Sequence, residues 1–257
     1  MTDRRIILTT IRNCRDLGSL ENKNGQHIKK DHLLRAAEFS SASNSDLITL
    51  NNEHRLVEVI DLRTYKEIEQ RPDLTIDSIT IKPNPVINIL YTGISHENST
   101  DGRPHYLPVN MGELYYGIMT EDYSRNNLHD ILTEIMTHDY TTGSLLWHCT
   151  EGKDRCGIVS MLVLLALDVD YEIIRDDYLL TNETNKARAD DFYQYLINRG
   201  EDPEHSKYAY DIFLARPEYL DKAYSAVTAY PDIYTFFEES LNISSETINE
   251  FRSKVLE

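Results

Sequence analysis

The chain has 257 residues with 40% apolar and 27% charged side chains, a composition that excludes a disordered, collagenous or low-complexity protein. Forty-three acidic against 26 basic residues give a net charge of −17, which disfavours binding to nucleic acid or to an anionic membrane surface. An anionic substrate would therefore need a local positive site.

Strand and helix signals alternate in the first part of the chain. Residues 43–46 are typical of a helix start, and the apolar residues after them lead into a buried strand from Leu56 to Leu62. A shorter strand is predicted from Ile76 to Ile81, ended by Pro83 because proline cannot donate a hydrogen bond to a sheet. A polar loop is expected from about Thr92 to Pro108.

Helical patterns dominate the remainder. Apolar spacing predicts two helices within residues 111–136, and a short apolar run predicts a central strand at residues 144–148. A helix is expected soon after Cys149, and residues 171–256 are expected to be almost wholly helical. Early strands and late helices indicate an α/β fold, and because no repeat or linker divides the chain, we expect one domain over residues 1–257.

The segment between the predicted strand and helix, residues 148–157, reads His-Cys-Thr-Glu-Gly-Lys-Asp-Arg-Cys-Gly. Backbone N–H groups at such a junction, together with the helix N-terminus, can bind a tetrahedral dianion, and Gly152 permits the tight curvature. Positive charge from the helix, Lys153 and Arg155 favours the nucleophilic thiolate form of Cys149. The planar guanidinium of Arg155 can hold two phosphate oxygens. The segment therefore predicts a phosphate-binding loop that carries its own nucleophile.

Other loop chemistries fit this segment less well. A nucleotide-binding loop is excluded because Asp154 follows Lys153 where Ser or Thr is required, and because Trp147 stands at the first glycine position. A rhodanese-like sulfurtransferase also carries a cysteine in a loop, but the Gly-Lys-Asp-Arg string suits phosphate better. Binding of a phosphopeptide without turnover would favour a third alternative, an inactive phospho-binding module.

Several segments resemble the cysteine-based protein tyrosine phosphatases of the bacterial atypical branch, whose loop reads His-Cys-x-x-Gly-Lys-Asp-Arg. The resemblance covers most of the chain, and its motifs follow the family's order. Besides the loop, the matching segments are Asn13–Gly18 (Asn-Cys-Arg-Asp-Leu-Gly), Val59–Arg63 (Val-Ile-Asp-Leu-Arg), Asp177–Leu180 and Arg216–Leu220.

The resemblance implies the cysteine-phosphatase fold, with a central, mostly parallel sheet flanked by helices, a helical C-terminal part, and a helical lid formed by parts of residues 84–130 and 183–230. It implies hydrolysis of phosphotyrosine, and in some members of phosphoserine, phosphothreonine or phosphoinositides, through a cysteinyl-phosphate at Cys149. Inorganic phosphate is the product, and no metal or other cofactor is expected. The expected partner is a phosphotyrosyl protein or peptide, with a phosphoinositide as the alternative.

Two aspartates compete for the role of general acid, because the leaving group needs a proton. Asp154 lies inside the loop, where the resembling branch carries its acid, and we favour it as the third catalytic residue beside Cys149 and Arg155. Its structural alternative is a helix N-cap. Asp61, at a predicted strand end, is the second candidate, and its alternative is a structural ion pair with Arg63.

Other polar residues near the loop are candidates for binding the substrate or its phosphate. Lys153 could contact a second phosphate or balance the charge of Glu151, and Arg15 could line the pocket or fix the N-terminal segment. Cys156 stands where the family usually has Thr or Ser, and because a thiol is a weaker donor, we predict slower turnover of the phosphoenzyme. The candidate set is Thr150, Glu151, Gly152, Lys153, Cys156, Asp61, Arg63 and Arg15.

The cysteine count and the apolar runs bear on location. Three cysteines, Cys14, Cys149 and Cys156, are too few for a disulfide framework and favour a reducing compartment, although an oxidised Cys149 could form a protective disulfide with either of the others. The apolar stretch at residues 6–8 is shorter than a signal-peptide core, and the run at residues 157–167 is too short to cross a membrane. We expect a cytoplasmic protein without integral membrane contact; secretion without a recognisable signal is the alternative.

Overall fold

The computed structural model describes residues 4–88 and 110–257. The polar loop predicted from about Thr92 to Pro108, and the part of the predicted lid at residues 89–109, lie outside the described residues. The strands are β1 (Arg15–Asp16), β2 (Leu33–Ala36), β3 (Leu56–Asp61), β4 (Thr80–Pro83) and β5 (Ser144–His148).

The described helices are numbered in chain order, and none of them combines enough length and apolar character to cross a membrane. They are α1 (Asn44–Glu53), α2 (Tyr65–Gln70), α3 (Met111–Thr120), α4 (Asp122–Thr137), α5 (Asp154–Ala166), α6 (Tyr171–Leu179), α7 (Thr181–Asn198), α8 (Pro203–Phe213), α9 (Pro217–Val227), α10 (Ile233–Leu241) and α11 (Ser245–Val255).

The strands form one sheet in the order β1-β2-β5-β3-β4, in which β1 is antiparallel and the other four are parallel. The last residue of the central strand β5, His148, pairs with Ala36 at the end of β2 and with Asp61 at the end of β3. Three strand ends therefore meet where the loop begins. The predicted α/β fold, with a central, mostly parallel sheet flanked by helices and a helical C-terminal part, is confirmed.

Both faces of the sheet are covered, and the side chains of β5 alternate between them. Leu145 and Trp147 pack into the larger hydrophobic cluster together with α5, whereas Leu146 packs into the smaller cluster together with residues of α1. Every residue of α5 is buried. The long apolar run after the loop is therefore a central helix without a solvent-exposed face.

Differences from the sequence prediction have local causes. β4 begins at Thr80 rather than at Ile76, because the Ile79 N–H donates to the Ile76 carbonyl (2.9 Å) and closes a turn before the strand. The two helices predicted within residues 111–136 are present as α3 and α4, on either side of Glu121. β1 and α2, with two and six residues, are too short to produce a periodic pattern.

A buried charge cluster ties the N-terminal segment and β2 to α6. The carboxylate of Asp177 lies 2.8, 3.1 and 3.0 Å from guanidinium nitrogens of Arg4, Arg15 and Arg35. Burial alone would raise the pKa of Asp177, but the three arginines, Arg15 foremost, hold it well below its ordinary value. The cluster therefore favours the folded state wherever Asp177 is ionised.

Asp177→Asn should lower the free energy of unfolding at pH 7 by about 3–5 kcal/mol, because it leaves buried arginines without their counter-charge. Urea denaturation measures this value, with Asp176→Asn at the exposed neighbouring position as the matched control. In the wild type, the contribution of Asp177 is present above the unfolded-state pKa of about 3.9 and is lost as pH falls below it, so Asp177→Asn should flatten this acid limb. Equal losses in Asp177→Asn and Asp176→Asn would contradict the role of the cluster.

Candidate active site

The loop between β5 and α5 curves sharply at Gly152. Its φ angle is +64°, a left-handed conformation that residues with a Cβ atom adopt only at a cost. A Cβ atom here would also lie 2.6 Å from the carbonyl oxygen of Ala36. Both the backbone conformation and the close approach of β2 therefore require glycine. Cys149, at the start of the loop, is buried with 2% of its surface exposed.

The peptide groups of the loop are oriented by two side chains from outside it. Asn13 donates from Nδ2 to the carbonyl oxygens of Glu151 and Gly152, both at 3.0 Å, and Arg35 donates to the Gly152 carbonyl at 2.9 Å. Because a trans peptide places its C=O and N–H on opposite sides, the N–H groups of Gly152 and Lys153 point away from these donors. The arrangement is suited to binding an anion on the opposite side of the loop.

Arg155 is held in place by Glu67 of α2. Its two terminal nitrogens donate to the two carboxylate oxygens of Glu67 at 2.6 and 3.0 Å, and Thr150 both donates to Glu67 (2.8 Å) and accepts from Arg155 (3.3 Å). Burial would lower the pKa of Arg155, but Glu67 raises it above its ordinary value. The guanidinium therefore stays charged, and its plane is fixed.

Asp154 is the first residue of α5 and is not its N-cap, since Lys153 occupies that position and makes no side-chain capping bond. The structural alternative that the sequence left open for Asp154 therefore does not apply. Its carboxylate oxygen Oδ1 accepts a hydrogen bond from the Tyr115 hydroxyl at 2.6 Å and lies 3.2 Å from Lys153 Nζ. Asp154 is thus placed in the loop region that also holds Cys149 and Arg155.

Two loop side chains contact the C-terminal helices. Glu151 pairs with Arg188 of α7 and lies 3.7 Å from Arg12, so these arginines contribute to balancing its charge. Lys153 donates to the Ile212 carbonyl of α8 and to the Leu214 carbonyl at 3.4 Å. Helices α7 and α8, which overlap the predicted lid range 183–230, therefore lie against the loop.

Asp61 and Arg63 lie in a separate buried network at the end of β3. Arg63 lies 2.7 Å from Asp61, 2.9 Å from Asp73 and 2.8 Å from Glu38. Asp73 also lies 2.9 Å from His148 Nε2. Burial alone would raise the pKa of Asp73, but His148 and Arg63 lower it to about 2. These contacts support the structural ion pair for Asp61 and Arg63. Phosphate binding by either residue, and the role of Asp61 as the second candidate for the general acid, stay predictions.

Arg15, like Arg63, is bound by other side chains of the protein. Its guanidinium binds Asp177 and donates to the Asn13 side-chain oxygen at 2.6 Å. Asn13 in turn binds the loop carbonyls, so Arg15 acts on the loop through a second residue. This geometry supports the alternative in which Arg15 fixes the N-terminal segment, and its direct role in substrate binding stays a prediction.

Cys156 is a buried thiol that donates to a backbone carbonyl. Its Sγ lies 3.6 Å from the carbonyl oxygen of Trp147, and burial raises its pKa to about 11. Cys14 packs into the hydrophobic cluster on the other face of the sheet from Cys149, and burial raises its pKa as well. The effect of Cys156 on turnover and the protective disulfide stay predictions.

Sequence reasoning did not identify several residues that position the loop. Glu67 lies in α2, Asp73 follows that helix, Arg35 lies in β2, Asp177 in α6 and Tyr115 in α3. The capping-box pattern that contains Glu67 predicts the helix start but not its arginine partner. An arginine inside the apolar strand Leu-Leu-Arg-Ala was a usable signal, because a buried charge requires a partner.

Comparison with known proteins places the chain in a family. The chain is 25% identical over 261 residues to the triple specificity protein phosphatase PtpB of Mycobacterium tuberculosis, covering 89% of this chain and 92% of that protein. A crystal structure of TpbA from P. aeruginosa matches with 13% identity and a TM-score of 0.34, covering 72% of this chain and 90% of that chain. Since the model of the tyrosine phosphatase family matches residues 6–257, the chain belongs to that family.

Proposed function

We propose that the chain hydrolyses phosphotyrosine in a protein or peptide by two-step displacement through a cysteinyl-phosphate on Cys149. The observation that carries the proposal is the loop itself, in which Cys149 and Arg155 flank peptide groups whose carbonyls are bound by Asn13 and Arg35. Inward-facing N–H groups and a charged guanidinium together match the equatorial oxygens of a phosphoryl group in transfer.

In the first step, the Cys149 thiolate attacks phosphorus, a P–S bond forms and the P–O bond to the tyrosyl oxygen breaks. Asp154 donates its proton to the departing phenolate. In the second step, water attacks phosphorus, Asp154 takes a proton from that water, and the P–S bond breaks. The products are the free tyrosine hydroxyl, inorganic phosphate and the regenerated thiolate.

Substrate range, location and domain organisation belong to the same proposal. The similarity to a phosphatase with triple specificity supports action on phosphoserine and phosphothreonine as well. A phosphoinositide receives weaker support, since the Lys153 amine that would contact a second phosphate donates to the carbonyls of Ile212 and Leu214. Three free cysteines support a cytoplasmic location. The family match over residues 6–257 supports a single domain.

Cys149→Ser should lower phosphate release from a phosphotyrosyl peptide by at least about 10³-fold, because the intermediate cannot form. The assay uses reducing conditions and a chelator, with Cys14→Ala as the matched cysteine control, which should keep most of the wild-type rate. A wild type that binds the peptide without releasing phosphate would instead indicate the phospho-binding module.

Asp154→Asn should lower kcat for the phosphotyrosyl peptide by about 10²-fold, because the leaving group departs without a proton. The loss should be much smaller for 4-nitrophenyl phosphate, whose more acidic phenol leaves readily as the anion. If both substrates lose activity to the same extent, Asp154 is not the general acid.

Glu67→Gln should lower kcat/KM for either substrate by about 10²-fold, because the Arg155 guanidinium loses the partner that fixes its plane. Glu69→Gln on the exposed side of the same short helix is the matched control and should leave kcat/KM unchanged. Binding of inorganic phosphate, measured by competition, should weaken in Glu67→Gln alone. Unchanged kinetics in a folded Glu67→Gln variant would show that the pair does not position Arg155 for the reaction.

A further inference from the structure

The two oxygens of the Asp154 carboxylate are in different environments. The Tyr115 hydroxyl and Lys153 Nζ both lie at Oδ1, at 2.6 and 3.2 Å. Across residues 4–88 and 110–257, no group donates a hydrogen bond to Oδ2. Because the Tyr115 hydroxyl donates to Oδ1 and the Lys153 ammonium lies beside it, a proton carried by this carboxyl group is placed on Oδ2.

The Tyr115 hydroxyl, which lies at Asp154 Oδ1, also forms a hydrogen bond with the hydroxyl of Tyr178. Tyr115 and Tyr178 hydroxyl oxygens lie 2.8 Å apart, and each tyrosine has one hydrogen to donate. Because the carboxylate at Asp154 can only accept, Tyr115 donates to it, and Tyr178 must then donate to Tyr115. The bonds therefore run in one direction, towards Asp154.

Both phenols remain neutral donors near neutral pH. Tyr115 and Tyr178 are completely buried, and burial raises the pKa of each well above its ordinary value, with the nearby Asp154 carboxylate raising it further. A phenolate, which would repel the carboxylate, does not form under these conditions.

The tyrosine pair is rigidly placed by packing. The rings of Tyr115 and Tyr178 meet edge to face, with centroids 6.3 Å apart, and Tyr219 of α9 packs against Tyr115 at 5.9 Å. Gly157 of α5 leaves room for the Tyr178 ring, since a Cβ atom there would lie 2.9 Å from Tyr178 Cδ2. Helices α3, α5, α6 and α9 thus converge on one hydrogen bond to Asp154.

We propose that Tyr115, supported by Tyr178, is a positioning residue for the general acid: it fixes Oδ1 and thereby directs the proton-bearing Oδ2 towards the leaving oxygen. The inference rests on the proposed function, in which Asp154 protonates the departing phenolate. Helices outside the catalytic loop then set the orientation of its acid. The effect should depend on the leaving group, because a phenol that leaves readily as the anion needs no well-placed proton.

The test compares kcat/KM of Tyr115→Phe for phenyl phosphate and for 4-nitrophenyl phosphate. We expect a loss of about tenfold with phenyl phosphate and of less than about twofold with 4-nitrophenyl phosphate, since one hydrogen bond to the acid is removed. Tyr178→Phe should show the same selectivity with a smaller loss. Tyr140→Phe is the matched control, because this buried hydroxyl donates to the Ile135 carbonyl away from the loop, and its substrate ratio should equal that of the wild type.

The double variant Asp154→Asn with Tyr115→Phe distinguishes the positioning role of Tyr115 from the assignment of Asp154 as the general acid. If Tyr115 acts through Asp154, adding Tyr115→Phe to Asp154→Asn should cause no further loss with phenyl phosphate. Equal losses with both phosphates in Tyr115→Phe would make its role structural and overturn this inference alone. If Asp154→Asn itself shows no preference for the better leaving group, the assignment of the acid in the proposed function fails instead.

Discussion

The orientation of two peptide groups in the loop is the constraint on which the rest of the site depends. A chain of net charge −17 must bind a dianion, so the local N–H groups have to point at the ligand and their carbonyls away from it. Asn13 and Arg35 impose this orientation, and both belong to the network centred on Asp177. The N-terminal segment, β2 and α6 therefore act together to orient the peptide groups of the loop, although they lie far apart in sequence.

Three buried arginines around the loop are paired with carboxylates. These ion pairs orient the arginine side chains more than they add to the stability of the fold. Arg155 has Glu67, Arg35 has Asp177, and Arg63 has its carboxylates. Such pairs gain little overall because both partners lose hydration, but each fixes a planar guanidinium in one orientation. The positive character of the loop thus arises largely from oriented backbone dipoles and the α5 N-terminus.

Features encoded by neighbouring residues could be predicted from the sequence. Contacts between residues that are far apart in the sequence could not. β5 and the start of α5 carry strong signals within a dozen residues, and the Cys149 to Arg155 spacing is fixed by the loop between them. Glu67 and Arg155 are 88 positions apart, and nothing in the short helix α2 indicates that its capping glutamate also binds an arginine. Asp61 and Arg63 show the converse, since two charges at a strand end suggested both a site and an ion pair, and only the contacts of the fold support the ion pair.

The left-handed conformation of Gly152 has a consequence for chemical protein synthesis. An L-alanine at this position would meet two separate costs, about 1–2 kcal/mol for the positive φ and the overlap of its methyl group with Ala36. A D-alanine favours positive φ, and its methyl group replaces the other Cα hydrogen, so it does not occupy the position that overlaps Ala36. The difference in folding stability between the two chains would therefore give the sum of the conformational and the steric cost at this position.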